Sequence, residues 1–395
     1  MLMNHQHPIL SYLHDQRESL IELVSELVLI ESPSTEPASQ AAILERLRAE
    51  FERLDYRVIQ LPGKTSGGHL YAAPRERARR QPAQLMIGHC DTVWPLGTLQ
   101  SMPLLRDSSK LSGPGVYDMK AGLTEIIYAL QTIRALDLTP EVAPLCFINS
   151  DEEIGSREST RYLRALAQHV DRCLVLEPSL GRAGKIKTTR KGVGRFTVTV
   201  RGKAAHAGLD PGAGASAILE LSHVIQKLFE LNDPEHGTSV NVGVIDGGIR
   251  PNMVAPESRA VIDVRVQTRV DAERIEAAIH GLETATPGVS LLVEGAIGRP
   301  PMEATEANQQ LWRIAHSLGD ELGLELEQGT AGGGSDGNTT SLYAATLDGL
   351  GAVGDGAHAD HEFIEIERLE ERCALLTLLL LAPPLAPNQA RRTNR

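Results

Sequence analysis

The feature that most constrains this chain is a set of short apolar runs that each end on polar or acidic residues and alternate with helical patterns. Leu85–Gly88 runs into His89-Cys90-Asp91, Leu145–Asn149 into Asp151-Glu152-Glu153, and Cys173–Leu176 into Glu177-Pro178. Between them Leu123/Ile126/Leu130/Ile133 and Tyr162/Leu163/Leu166 recur at helical spacing. Strand alternating with helix predicts a mostly parallel sheet covered on both faces. Ligands bind such sheets in the crevice beyond the carboxyl ends of the strands, which is where these polar residues fall.

Two further amphipathic helices are expected before residue 56, one through Leu13, Leu20, Val24 and Leu27, the other through Leu44, Leu47, Phe51 and Leu54. Near residue 187 the period changes: Phe196, Val198 and Val200 alternate with Thr197, Thr199 and Arg201, the mark of a strand with one wet face. From there the reading is strand 194–201, helix 214–231, strand 238–245, strand 258–267, helix 271–284 and strand 289–294, the split βαβ order βαββαβ. Beyond 300 come a helical pattern, a Gly332-Gly333-Gly334-Ser335-Asp336-Gly337 loop, a short strand near 346–350 and a buried C-terminal helix at Ala374–Pro384. The expected fold class is α/β, with a mostly parallel sheet domain (1–186 and 300–395) interrupted by an inserted ferredoxin-like α+β domain (187–299).

Composition removes several classes of function. With 42% hydrophobic and 23% charged residues in 395, the chain is an ordinary folded globular sequence rather than a disordered or fibrous one. A net charge of −12 repels phosphate backbones and anionic lipids, and 4% aromatics leaves little for base stacking, so neither nucleic acid nor membrane is an expected partner. Cys90, Cys146, Cys173 and Cys373 are far apart with no Cys-x-x-Cys, which points to a reducing compartment. Met1–Leu13, with His5 and His7, shows no basic segment followed by an apolar run, and a cytoplasmic location is expected.

The candidate chemistry lies at the strand ends. His89 and Asp91 stand in Gly-His-Cys-Asp-Thr-Val; Asp118 follows Gly113-Pro114-Gly115 and is read as opening a helix, where an acid also serves as a cap. Asp151, Glu152 and Glu153 would gain from a helix dipole, but three adjacent carboxylates repel one another and call for a cation. Glu177 follows the next strand, and His358 lies beyond the last, in Gly356-Ala357-His358, with His361 as a rival three positions on. One edge of one sheet would gather them all. Two imidazoles with several carboxylates suit a two-metal site, and zinc needs no cysteine there.

The segments Gly-His-x-Asp-Thr-Val, Gly-Pro-Gly-x-x-Asp-Met-Lys-x-Gly and Asp-Glu-Glu-x-Gly-Ser, with the interrupted domain order, resemble the co-catalytic di-zinc metallopeptidases. That family includes bacterial glutamate carboxypeptidase, aminoacylases and the acetylornithine and succinyl-diaminopimelate deacylases. The resemblance spans nearly the whole chain. It implies that Asp118 bridges two Zn2+ ions (Co2+ or Mn2+ as substitutes), that His89 and Glu177 complete one site and that Glu153 and His358 complete the other. It makes Glu152 the general base and Asp91 the carboxylate that orients His89.

Glu177 in place of Asp, together with the Gly-Gly-Gly-Ser-Asp loop, brings the chain nearest the glutamate carboxypeptidases, so the expected substrate is a small peptide or N-acyl amino acid with a free C-terminal carboxylate. The alternative is an N-acyl-amino-acid deacylase. The resemblance also implies a homodimer through the inserted domain, His206 of Ala204-Ala205-His206-Ala207-Gly208 reaching a substrate or oxyanion, in its own or often in the partner subunit's site, and substrate contacts from Asn252, Arg265 and Arg299. Asn252 equally suits a turn, and Arg265 a pairing with Asp263 on the same strand face. Lys185 and Lys187 are candidates for a glutamate side chain. Ala121, Ala359 and Thr339 depart from commoner Gly, Ser and aromatic residues without removing a ligand; Thr339 puts the shape of one pocket wall in doubt. Two rivals remain: a phosphotransferase, which the glycine loop does not support because no Gly-Lys-Ser/Thr ends it, and a catalytically silent scaffold of the same fold, which the intact Glu152 argues against.

Overall fold

A computed structural model describes residues 7–385. Met1–Gln6, with the His5 of the N-terminal reading, and residues 386–395, the end of the expected 300–395 segment, lie outside the described residues. The chain forms two compact units. One comprises everything up to Thr188, Ala304–Thr330 and the chain from Ser335 on; the other is Thr189–Glu303 with Ala331–Gly334.

The first unit is built on a six-stranded sheet in the order Tyr56–Leu61, His69–Pro74, Ala143–Asn149, Ala83–His89, Arg172–Val175, Ala345–Leu347. The last four strands are parallel, and His69–Pro74 runs antiparallel to both of its neighbours. All residues of 83–89, 143–149 and 172–175 are buried, as expected for strands packed on both faces. Their register is level: Ile87 pairs with both Phe147 and Val175, and His89 with Asn149. Residues that follow these three strands therefore emerge side by side at one edge.

The antiparallel hairpin 56–61/69–74 was not legible in the sequence, because Tyr56–Leu61 buries little more than Tyr56 and carries no alternating apolar face. The first expected helix is two, Pro8–Asp15 and Arg17–Leu29, broken at Gln16 (φ −95°, ψ 2°). The C-terminal helix, Leu369–Leu381, starts before the apolar run and buries Glu370, Glu371 and Arg372. Those charges are matched: Glu370 meets Arg17 at 3.0 Å and His14 at 3.3 Å. Arg372 donates to the carbonyls of Gly351 (2.9 Å), Gly184 (3.1 Å) and Gly349. At the far end, fully buried Arg172 donates to Leu379 and Ala382 carbonyls at 3.1 and 2.6 Å, filling acceptors that a helix C-terminus leaves open.

The second unit is a four-stranded antiparallel sheet in the order Ser239–Gly247, Glu257–Val266, Gly192–Arg201, Ser290–Arg299, with helices Ala217–Phe229 and Arg269–His280. Along the chain this is βαββαβ. The helices start where side chains cap them, Ser216 accepting the Leu219 N–H and Thr268 the Asp271 N–H. Phe196, Val198, Ile262, Val264, Leu221 and Ile275 share a core separate from that of the first unit.

The helix Ala121–Ala135 presses on the end of the 172–175 strand through Gly122, where a Cβ would stand 2.1 Å from the Leu176 carbonyl oxygen. Gly122→Ala should therefore destabilise the protein by about 1–3 kcal/mol through overpacking, against alanine's better helix propensity, as read from chemical denaturation.

Candidate metal centre

The level register of the parallel strands brings His89, Glu152, Glu153 and Glu177 together, and two loops add Asp118 and His358. Ligand atoms of His89, Asp118 and Glu153 all lie within 4.8 Å of one another, as do those of His89, Glu152 and Glu177. His89 Nε2 is 3.1 Å from Asp118 Oδ1 and 3.4 Å from Glu177 Oε1. His358 Nε2 is 3.5 Å from Asp118 Oδ2 and 3.1 Å from Glu153 Oε2. The Asp118 carboxylate thus stands between the imidazoles, one oxygen toward each. His358 holds this place with a left-handed backbone (φ 62°), a conformation that a non-glycine residue adopts only where the surroundings enforce it. The rival His361 faces Asp360 at 3.5 Å with its side chain 67% exposed, away from the cluster.

Asp118 does not open a helix. Its φ of −114° and ψ of 94° are extended, and the regular helix begins at Ala121. The dipole account of Asp151–Glu153 fails for a similar reason, since the next helix starts only at Thr160. Of those three acids Asp151 is structural: its Oδ2 accepts the Glu158 and Ser159 N–H groups at 2.7 and 3.2 Å.

Asp91 is fully buried and organises the site from beneath. It accepts the Ser34 hydroxyl at 2.7 Å and the Glu152 and Glu153 N–H groups at 3.2 Å each. Its carboxylate is 3.6 Å from His89 Nδ1, while its carbonyl oxygen is 3.0 Å from the same nitrogen. That leaves Nε2 aimed at Asp118. The glycine loop contributes a brace rather than a phosphate cradle: Asp336 accepts Asn149 Nδ2 at 2.6 Å and the Ser156 hydroxyl at 2.5 Å, holding both ends of the acidic loop.

Electrostatics shows what the cluster lacks. Burial lowers the pKa of His89, but Asp118, Asp91 and Glu177 outweigh it and hold the imidazole well above its usual range. Hydrogen bonds that His358 donates to Asp118 and Glu153 push its pKa up to about 10. Burial opposes ionisation of Asp118, yet His358 and His89 keep its pKa far below the carboxylate range. Burial raises Glu153 to about 7, partly offset by His358. The carboxylates thus favour positive charge at both imidazoles. Divalent cations fit the same place and the same donors.

The remaining expected residues lie on the second unit or are engaged elsewhere. His206 Nδ1 accepts the Gly208 and Leu209 N–H groups at 3.1 Å each, and Asn252 is beside it, its carbonyl accepting the Ala207 N–H at 3.0 Å. Arg265 forks onto Asp263 at 2.8 and 3.0 Å, the strand-face pairing. Arg299 ends the Ser290–Arg299 strand and is partly buried. Lys185 Nζ pairs with Glu327 at 2.6 Å, and Lys187 is buried against Gly349.

A family model for a peptidase dimerisation domain matches residues 188–284. Carboxypeptidase G2 from Pseudomonas sp. (strain RS-16) is 26% identical over 93% of this chain and 90% of its own length. A succinyl-diaminopimelate desuccinylase from Delftia acidovorans is also 26% identical, over 87% and 92%. The solved M20 family metallo-carboxypeptidase Sso-CP2 from Sulfolobus solfataricus shares the fold at a TM-score of 0.71 and 16% identity, covering 92% of this chain and 98% of that one. Residues 188–284 match the M20 peptidase dimerisation domain, and the chain is similar to M20 family enzymes over nearly its whole length. It is a metallopeptidase or amidohydrolase, a metallo-exopeptidase or acyl-amino-acid deacylase that works with a divalent metal.

Sequence reasoning missed Ser34 and Asp336 as supports of the site. Ser34 carries no motif, and Asp336 gives no signal beyond its glycine loop.

Because metals must displace protons from His89 and His358, ion binding should release protons, and apparent affinity should rise as pH is raised toward about 10. Calorimetric titration in buffers of different ionisation enthalpy measures this; pH-independent affinity between 6 and 9 would contradict it.

Proposed function

We propose that this enzyme hydrolyses the amide bond of small peptides or N-acyl amino acids that end in a free carboxylate, glutamate foremost, using two Zn2+ ions. The observation that carries this reading is the Asp118 carboxylate between His89 and His358, at 3.1 and 3.5 Å. Asp118 would be shared by both ions, with His89 and Glu177 on one side and Glu153 and His358 on the other. Bound there, divalent ions would supply Lewis-acid polarisation of the scissile carbonyl and would lower the pKa of a water toward neutrality.

The protein's own groups do the rest. Glu152 takes the proton of the attacking water and later delivers it to the leaving amine. Asp91 keeps His89 in one orientation and fixes the backbone of Glu152 and Glu153. His206 accepts two N–H groups at Nδ1, so in its neutral form the proton sits on Nε2, ready to donate to the tetrahedral oxyanion. Asn252 next to it orients the same part of the substrate. Arg265 and Arg299 are the candidates for the substrate carboxylate, which a guanidinium fork matches in two bonds; at Arg265 the substrate would replace Asp263.

The second reading, an N-acyl-amino-acid deacylase releasing an amino acid from a small acyl group, is favoured by the equal 26% identity to a desuccinylase. Glu152→Gln should keep both metals yet lower kcat by about 10²–10⁴. In the wild type, acyl-glutamates with a free carboxylate should turn over far faster than their amides. Equal rates for acid and amide would sink the carboxypeptidase reading, and faster turnover of N-acetyl amino acids would install the deacylase.

A homodimer through the second unit belongs to the same proposal. Its support is the edge strand Ser239–Gly247, which leaves Val244 59% and Ile245 64% exposed, and the outward Ile218 and Leu219 of the neighbouring helix. The four buried free cysteines support a reducing, cytoplasmic setting. Ile245→Asp should convert the dimer to monomer in light scattering at micromolar concentration; a wild type that is already monomeric there would refute the assembly.

A further inference from the structure

One buried carboxylate outside these roles collects donors from the segments that carry the proposed ligands. Glu362 is fully buried. Its Oε1 accepts the N–H of Tyr117 at 2.8 Å and of Asp118 at 3.0 Å; its Oε2 accepts the N–H of Gly115 and the Trp94 indole, each at 2.8 Å. Two donors per oxygen is an arrangement only an ionised carboxylate satisfies, because a glutamine in its place would turn an NH2 group toward two other N–H groups.

This contact stands in for a helix at Asp118. The backbone there is not helical, so no ladder of hydrogen bonds holds it, and its own N–H goes to Glu362. The same residue closes the turn that bears His358. The Glu362 N–H donates to Ala359 at 3.0 Å and the Ala359 N–H to Gly356 at 2.8 Å. Gly356, at φ 81°, passes so near that a Cβ would stand 2.9 Å from Glu362 Cα. His89 and Glu177, by contrast, leave from strand ends that the sheet itself fixes, and Glu152 and Glu153 hang from Asp91.

Resting on the two-ion reading above, we propose that Glu362 is a positioning residue for the metal pair: it sets Asp118, which both ions would share, and also the turn that bears His358, so its loss weakens both ions and weakens the one held by Glu153 and His358 more.

The test is zinc titration of metal-stripped wild type, Glu362→Gln and Trp94→Phe by calorimetry, with elemental analysis after gel filtration and Co2+ absorption spectra. Wild type should bind two ions. Glu362→Gln should weaken the first step modestly, through the shared Asp118, and the second about 10–100-fold, the usual cost of losing a residue that holds a ligand in place. Its Co2+ spectrum should change mainly at the second equivalent, and kcat should fall more than KM rises. Trp94→Phe removes one of the four donors and should weaken mainly the second step, to a smaller extent; it carries the test if circular dichroism shows Glu362→Gln unfolded. An unchanged second step, or equal weakening of both, overturns the proposal while leaving the two-ion reading in place. A wild type that binds fewer than two ions overturns both.

Discussion

Negative charge gathered at one sheet edge is the constraint on which the rest of the first unit depends. Asp118, Glu152, Glu153 and Glu177 face two imidazoles, His89 buried and His358 half-exposed. Carboxylates that close cannot all ionise without nearby positive charge. The carboxylates hold the pKa values of His89 and His358 above the usual imidazole range, and the same donors suit divalent cations. A protein of net charge −12 has little to spare for such a cluster unless a cation is part of its function.

The acidic residues near the site divide into those that face the cluster and those that collect N–H groups. Asp151 takes the amides of Glu158 and Ser159, and Glu158 takes those of Lys64, Thr65 and Ser66. Asp91 takes the amides of Glu152 and Glu153, while Glu362 takes those of Gly115, Tyr117 and Asp118. Each such carboxylate is neutralised by backbone dipoles and fixes a loop that would otherwise leave polar groups unsatisfied. The division explains why three adjacent acids at 151–153 are not equivalent: the first is spent on the loop, and the next two face the cluster.

The two units carry different chemical equipment. The first holds the carboxylates and imidazoles on parallel strands whose level register sets their spacing; the second holds His206, Asn252, Arg265 and Arg299 on an antiparallel sheet and its turns. A rigid, deeply packed frame suits the groups whose mutual distances must stay within a few tenths of an ångström. The second unit has its own core, and its Arg265 is held by Asp263 on the same strand face.

Much of this was legible in the chain alone, because period-2 and period-3.6 patterns report burial, and burial on both faces implies parallel strands whose ends align. His89, Glu152, Glu153 and Glu177 follow directly from that logic, as does the βαββαβ order of 192–299. The hairpin at 56–74 escaped because a half-wet edge strand has no such pattern, and Glu370–Arg372 were not expected inside because their partners, Arg17 and the carbonyls of Gly184, Gly349 and Gly351, are distant in sequence. The extended backbone of Asp118 and the bracing by Ser34, Asp336 and Glu362 were decided only in three dimensions. Local sequence sets which face of a strand or helix is apolar, whereas the aim of a side chain on a loop is set by hydrogen bonds to residues tens or hundreds of positions away, such as the Glu362 carboxylate that holds Asp118.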